Sequence, residues 1–135
     1  MSSRAEDLRA IPLLRGLDLL ELDKLAAGCS ELEAPAGQHL THPGATGTGM
    51  FFIVEGTVEV EAREGFRELG PGEFFGELAV LDDEPRSADT VCEEDALLLR
   101  LAGLDFQELI ERRPAIAREI IRVLTQRLRK ANARR

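Results

Sequence analysis

A chain of 135 residues suits one domain that buries roughly two thirds of its unfolded surface, so it needs neither metals nor disulfides for a core. Its 25 acidic and 17 basic residues, net −8, argue against a body that binds nucleic acid or anionic lipid. Two isolated cysteines, Cys29 and Cys92, without CxxC spacing, argue against a disulfide framework or zinc site, and no leader-like or membrane-spanning apolar run occurs.

Both cysteines read as core residues in a reducing compartment, and the expected location is the cytoplasm. In "LDLLELDKLAAG" Asp18 stands three places before Glu21, the spacing of a capping box, and Leu22, Leu25 and Ala26 follow on one helical face up to Gly28. From Leu32 the texture changes to Gly, Pro and Thr. The run Met50–Val54 is continuously apolar and suits a buried strand, whereas Val58, Val60 and Ala62 alternate with Glu59 and Glu61, as in a strand with one wet face. Glu64-Gly65 and Pro71-Gly72 mark a hairpin and a tight reversal. "TVCEEDALLLRLAG" reads as further strand. Asp105 and Glu108 repeat the capping-box spacing at the start of a helix, and after Pro114 a last helix runs from about Ala115 to Asn132.

This order predicts an α+β fold: an antiparallel β-barrel or jelly roll with helices segregated to its ends, N-terminal helices before it and C-terminal helices after it. The charge is divided. Residues 112–135 hold nine basic residues and one acid, Glu119, for +8, while residues 1–111 hold eight basic and twenty-four acidic residues, for −16. His39 and His42 lie three apart, which in extended chain places them on opposite faces without a third ligand, so no metal is expected. No nucleophile–base set stands out, and an enzyme is not expected.

The informative stretch is "FFGELAVLDDEPRSA", residues 74–88. Phe74 and Phe75 can enter the core, Gly76 permits close backbone approach, and a helical turn starting near Glu77 would expose N–H groups to an anion. Arg86 adds a planar fork suited to phosphate. A carboxylate at Glu77 beside a phosphate makes sense if it accepts from neutral donors such as sugar hydroxyls. A plain Glu77–Arg86 ion pair would account for the same two residues, and local chemistry does not choose between them.

The stretch resembles the phosphate-binding cassette of the cyclic-nucleotide-binding domain family, F-G-E-L-A followed by R-x-A: here Phe75-Gly76-Glu77-Leu78-Ala79 and Arg86-Ser87-Ala88. "IPLLRGLDLLELDKLA" and "GATGTGMFFIVEGTVEV" resemble the family's N-terminal helices and its strand-loop-strand segment, so the likeness spans nearly the whole chain. It implies one domain: helices over 1–30, a β-roll over 31–102 with the cassette at 74–88, and hinge and lid helices over 104–132. It further implies that Glu77 holds the ribose 2′-hydroxyl and Arg86 the cyclic phosphate, with Gly76, Leu78, Ala79, Ser87 and Ala88 completing the cradle. Val80 falls at the family's apolar hinge position. Asp89 replaces a threonine that many members carry, a hydroxyl associated with guanine, so cyclic AMP is expected over cyclic GMP. No other cofactor is implied.

On the last helix, Val123, Ile116, Ile120, Ala131, Leu124, Ala117, Leu128 and Ile121 span an arc of roughly 160°. The expectation is that the Leu124, Leu128 and Ile121 edge closes on barrel and nucleotide. Ile116 and Val123 would then serve a homodimer or another protein partner, with Arg127, Leu128 and Asn132 as lid contacts. Family transcription regulators carry a helix-turn-helix after the lid; with the chain ending at Arg135, no DNA-binding domain is expected here. The resulting expectation is a sensor module signalling through its last helix, with a ligand-free interaction scaffold as the alternative.

Overall fold

The computed structural model describes residues 3–41, 49–62, 65–77 and 89–133. The expected positions His42, Leu78, Ala79, Val80, Arg86, Ser87 and Ala88 lie outside them.

Asp18 caps helix α2 (Leu19–Gly28) as its spacing requires: its side chain accepts from the Glu21 N–H at 2.8 Å, and the Glu21 carboxylate accepts from the Asp18 N–H at 3.3 Å. Before it come α1 (Ser3–Arg9) and a 3-10 turn, Pro12–Leu14, which bury Ala5, Leu8, Leu13 and Leu14. Strand β1 (Cys29–Ala34) follows α2 without a loop. It starts earlier than the Leu32 texture change suggests, because Glu31 and Glu33 hide the strand's pattern while Cys29 and Ala34 are buried.

The remaining strands are β2 (His39–Thr41), β3 (Gly49–Glu55), β4 (Val58–Ala62), β5 (Gly65–Leu69), β6 (Phe74–Phe75), β7 (Asp89–Cys92) and β8 (Ala96–Ala102). They form two antiparallel four-stranded sheets, ordered β1-β8-β3-β6 and β2-β7-β4-β5. Among the described residues no strand bridges the two, so the expected jelly roll takes the form of facing sheets rather than a closed barrel. The first and last strands are neighbours, from Cys29 opposite Leu101 to Ala34 opposite Ala96.

The first sheet is covered on both faces, which explains why its strands read as unbroken apolar runs. Met50, Phe52, Phe74, Leu99 and Leu101 pack toward the helices. Phe51, Ile53, Phe75 and Leu98 pack toward the second sheet, against Val58, Val60, Leu69 and Cys92. The second sheet is wet outside, hence the alternation of Glu59 and Glu61 with Val58 and Val60. Gly56 joins β3 to β4 at φ +87°, a conformation that disfavours any side chain.

Helix α3 (Gly103–Arg112) departs from expectation. It begins directly where β8 ends, so its N-cap is Ala102, with no side-chain cap, and Asp105 sits in the first turn instead of capping it. It buries Phe106 and Leu109. Helix α4 (Pro114–Ala133) uses Pro114 at its start, where a missing N–H is harmless. Between the two helices, Arg113 forms an ion pair with Glu21 of α2, with Nε donating to Oε2 at 2.6 Å. The guanidinium lowers the Glu21 carboxyl below its ordinary range.

Candidate functional site

The site is built from the end of β6 outward. Phe74 and Phe75 pair with Phe52 and Phe51 of β3, and Phe75 stacks on Phe51 with ring centroids 4.9 Å apart and planes 12° apart. Both β6 side chains are buried on opposite faces, which pins the strand and fixes where the chain emerges. Gly76 then turns it with φ +88°, and Glu77 follows with its side chain inside the protein, 4% exposed. A carboxylate so placed requires hydrogen-bonding or cationic partners.

One partner comes from fifty residues away. Arg127 of α4, itself buried, places Nη1 3.4 Å from Glu77 Oε1, donates from Nη2 to the Phe74 carbonyl at 2.8 Å, and stacks its guanidinium 4.7 Å from the Phe74 ring centroid. Burial pulls the Arg127 pKa down, and the Glu77 charge opposes that shift. The last helix is thus tied to the segment that follows β6, at Glu77. Between α4 and the 3-10 turn lies a cavity of about 180 Å³ whose lining includes Pro12, Leu13, Phe74, Val123, Gln126 and Arg127.

The face that α4 buries differs from the expected one. Ile116, Ile120, Arg127 and Ala131 are buried, and Val123 and Leu124 pack partly against the same core. Ile121 and Leu128 are 63% and 58% exposed, so these two residues of the edge expected to close on the sheets point outward, while Leu124 of that edge and Val123 of the expected partner face both pack partly on the core and Ile116 is buried. The reason is Arg127: the buried stripe runs 116, 120, 123, 127 and 131, and Glu77 with the Phe74 carbonyl makes a guanidinium acceptable within it. Of the expected lid contacts, Arg127 meets Glu77, whereas Leu128 and Asn132 are exposed.

Asp89 does not sit as the base-reading argument assumed. Its Oδ1 lies 2.9 Å from His39 Nδ1 across β2 and β7, while the next residue, Thr90, is the one buried between the sheets. His39 is thereby engaged with a carboxylate. Among the described residues no group of three His, Cys, Asp or Glu is placed to hold a metal, and no helix is long and apolar enough to cross a membrane. Cys29 and Cys92 are buried free thiols. Sequence reasoning missed Arg67 of β5, whose Nε is shut from solvent with no hydrogen-bond partner; its signal was a basic residue at an inward position of the strand alternation.

Comparison with known proteins agrees with this architecture. The family model described as the cyclic nucleotide-binding domain matches residues 31–113. A cyclic nucleotide-gated potassium channel of Rhizobium etli is 37% identical over 118 residues, covering 87% of this chain and 33% of the channel. A cyclic AMP receptor protein of Thermus thermophilus is 34% identical over 131 residues, covering 93% of this chain and 61% of the receptor. The solved catabolite activator protein of Thermus thermophilus superposes with a TM-score of 0.75 at 34% identity, over 91% of this chain and 61% of that one. The regulatory domain of Toxoplasma gondii PKA, crystallised with cAMP, has a TM-score of 0.80 over 91% of this chain and 49% of that one; at 19% identity it speaks to the fold alone. The chain therefore spans about a third to three fifths of the length of these curated relatives. The fold, the relatives and the matched family model converge: this chain belongs to the cyclic nucleotide-binding domain family.

Proposed function

We propose that this domain is a sensor that binds a cyclic nucleotide, cyclic AMP in preference to cyclic GMP, and reports occupancy through its last helix. The observation that carries the reading is the buried contact between Glu77 and Arg127. In this reading Glu77 accepts from the ribose 2′-hydroxyl while Arg86 pairs with the phosphate, and Gly76, Leu78, Ala79, Ser87 and Ala88 complete the cradle. A sugar hydroxyl arriving at Glu77 competes with or completes its bond to Arg127, so ligand binding and the position of α4 share one carboxylate. The cyclic AMP preference draws on the Thermus receptor's likeness, since Asp89 is engaged by His39.

The outward edge of α4 favours a second copy of this chain as the receiver. Ile121 and Leu128 stand exposed seven residues apart on that edge, with half-buried Ala117 and Leu124 at its inner margin, the spacing of a two-helix coiled coil. The free, buried cysteines accord with a reducing, cytoplasmic setting.

Calorimetry with cyclic AMP, cyclic GMP and 2′-deoxy cyclic AMP, on the wild type and on Glu77→Gln, tests the assignment. The expected result is that the deoxy ligand binds the wild type roughly tenfold or more weakly than cyclic AMP, with little further loss in Glu77→Gln. Additive losses would separate Glu77 from the sugar. A wild-type chain that binds no cyclic nucleotide would leave the ligand-free scaffold as the better reading.

A further inference from the structure

Arg127 has more donors than the protein uses. Its guanidinium carries five N–H groups. One on Nη1 bonds Glu77 and one on Nη2 bonds the Phe74 carbonyl, and the other three have no acceptor among the described residues. The side chain is only 8% exposed, and donors withdrawn from water to that degree call for acceptors. The space they border is the cavity of about 180 Å³ between α4 and the 3-10 turn, of which Arg127 forms one wall. Leu13 and Phe74, both buried, and half-buried Val123 give it an apolar floor, while exposed Glu73 and Arg122 stand at its rim. A cavity of about 150 Å³ holds one benzene ring, so this one has room for a single ring with a short substituent.

The charges around the cavity decide which substituent fits. At the rim Glu119 and Arg122 pair with each other, and Glu73 accepts from the Gly70 N–H at 2.8 Å. Burial lowers the Arg127 pKa, and Glu77 and Glu73 both oppose that shift by favouring the charged form. One guanidinium thus already answers to two carboxylates. An incoming anion would be repelled by both, whereas a neutral carbonyl or ring nitrogen can take up the spare N–H groups without that cost. We propose that this cavity is a second small-molecule site, separate from the cyclic-nucleotide cradle, for a neutral single-ring molecule whose carbonyl or ring nitrogen accepts from Arg127. Arg86 and the rest of the cassette have no part in it, so the site does not depend on cyclic-nucleotide binding.

Benzamide, benzoate and toluene share one ring and differ in the substituent, and titrating each into the full chain while following amide chemical shifts tests the site. Benzamide is expected to saturate with a dissociation constant on the order of 1 mM and to move the amides of Leu13, Phe74 and Val123. A hydrogen bond to a charged donor is worth about tenfold or more, so toluene should bind at least about tenfold more weakly, and benzoate should also bind more weakly than benzamide. Val123→Phe fills the cavity and should abolish benzamide binding. Toluene binding as tightly as benzamide would leave Arg127 without a role, and benzoate binding more tightly would make this an anion site; either overturns the proposal, as does a failure of benzamide to saturate by roughly 20 mM. Should Val123→Phe fail to fold, the ranking of the three rings on the wild type decides alone. Displacement of benzamide by cyclic AMP would place the ring in the nucleotide cradle and overturn the second site. A chain that binds benzamide in this ranking but no cyclic nucleotide defeats the sensor reading and leaves this site standing.

Discussion

Replacing Arg127 by methionine keeps most of the side chain's apolar stem while removing three contacts at once: the 3.4 Å approach to Glu77, the 2.8 Å bond to the Phe74 carbonyl, and the guanidinium stacked on the Phe74 ring. Two unit charges near this separation attract by about 4 kcal/mol at an effective dielectric of about 20. Burial takes most of that back, as the lowered pKa of Arg127 indicates, so the intact pair contributes little net stability. Breaking it is different, because Glu77 stays buried and loses its cation. Taking a cationic partner from a buried carboxylate costs about 3–5 kcal/mol in all, of which the lost bond to the buried Phe74 carbonyl is about 1 kcal/mol and the stacking about 0.5–1 kcal/mol. The 3.4 Å distance is long for a charge-assisted bond, which places the expected loss at the lower end, about 3 kcal/mol. Part of the loss is capped by local release of the end of α4. Urea unfolding should therefore be paired with amide exchange, which is expected to accelerate over residues 124–133 before the sheets are affected. Glu77→Gln should rescue part of the defect, since a neutral amide tolerates the loss of the cation, giving a coupling of about 1–2 kcal/mol in a double-mutant cycle. A loss below about 0.5 kcal/mol, or additive single effects, would refute the view that this buried pair anchors the helix.

Three further outcomes follow from other parts of the fold. Burial pushes the Cys29 thiol up to about 11 from an ordinary value near 9.0, so between those pH values the unfolded chain releases a proton that the folded chain retains. Stability should fall by about 2–3 kcal/mol across that window, and the gap in urea midpoint between wild type and Cys29→Ala should shrink from pH 8 to pH 11; a constant gap would refute the assignment. Ile121→Glu combined with Leu128→Glu should leave the fold intact and convert a dimer into single chains of 14.9 kDa in sedimentation equilibrium, and an unchanged mass would remove the seam as a self-association surface. Gly56→Ala places a Cβ against the Asp95 carbonyl at a positive φ, so about 2–4 kcal/mol should be lost in thermal or urea unfolding, and a loss under about 0.5 kcal/mol would contradict the packing at this turn.

Residue order alone settles the features that local rules govern. The Asp18–Glu21 box, the Gly65 and Pro71-Gly72 turns, and the contrast between the continuous run at 50–54 and the alternation at 58–62 need only neighbours within a few residues, and each appears where the spacing places it. The Asp105–Glu108 spacing failed as a cap because strand β8 extends to Ala102 through its pairing with Gly49, a contact from another part of the chain. The site divides in the same way. Gly76 and Glu77 stood out as a local motif, but only the fold decided which side chain meets them. The apolar arc of α4 had two possible edges, and hydrophobicity alone favoured Ile121 and Leu128 over a stripe containing an arginine. A buried carboxylate and a carbonyl on β6, fifty or more residues away, reverse that choice by giving Arg127 partners inside the protein. Sequence periodicity ranks residues by their own affinity for water, whereas burial of a charge depends on what waits for it, and that is settled only when the helix and the sheet come together.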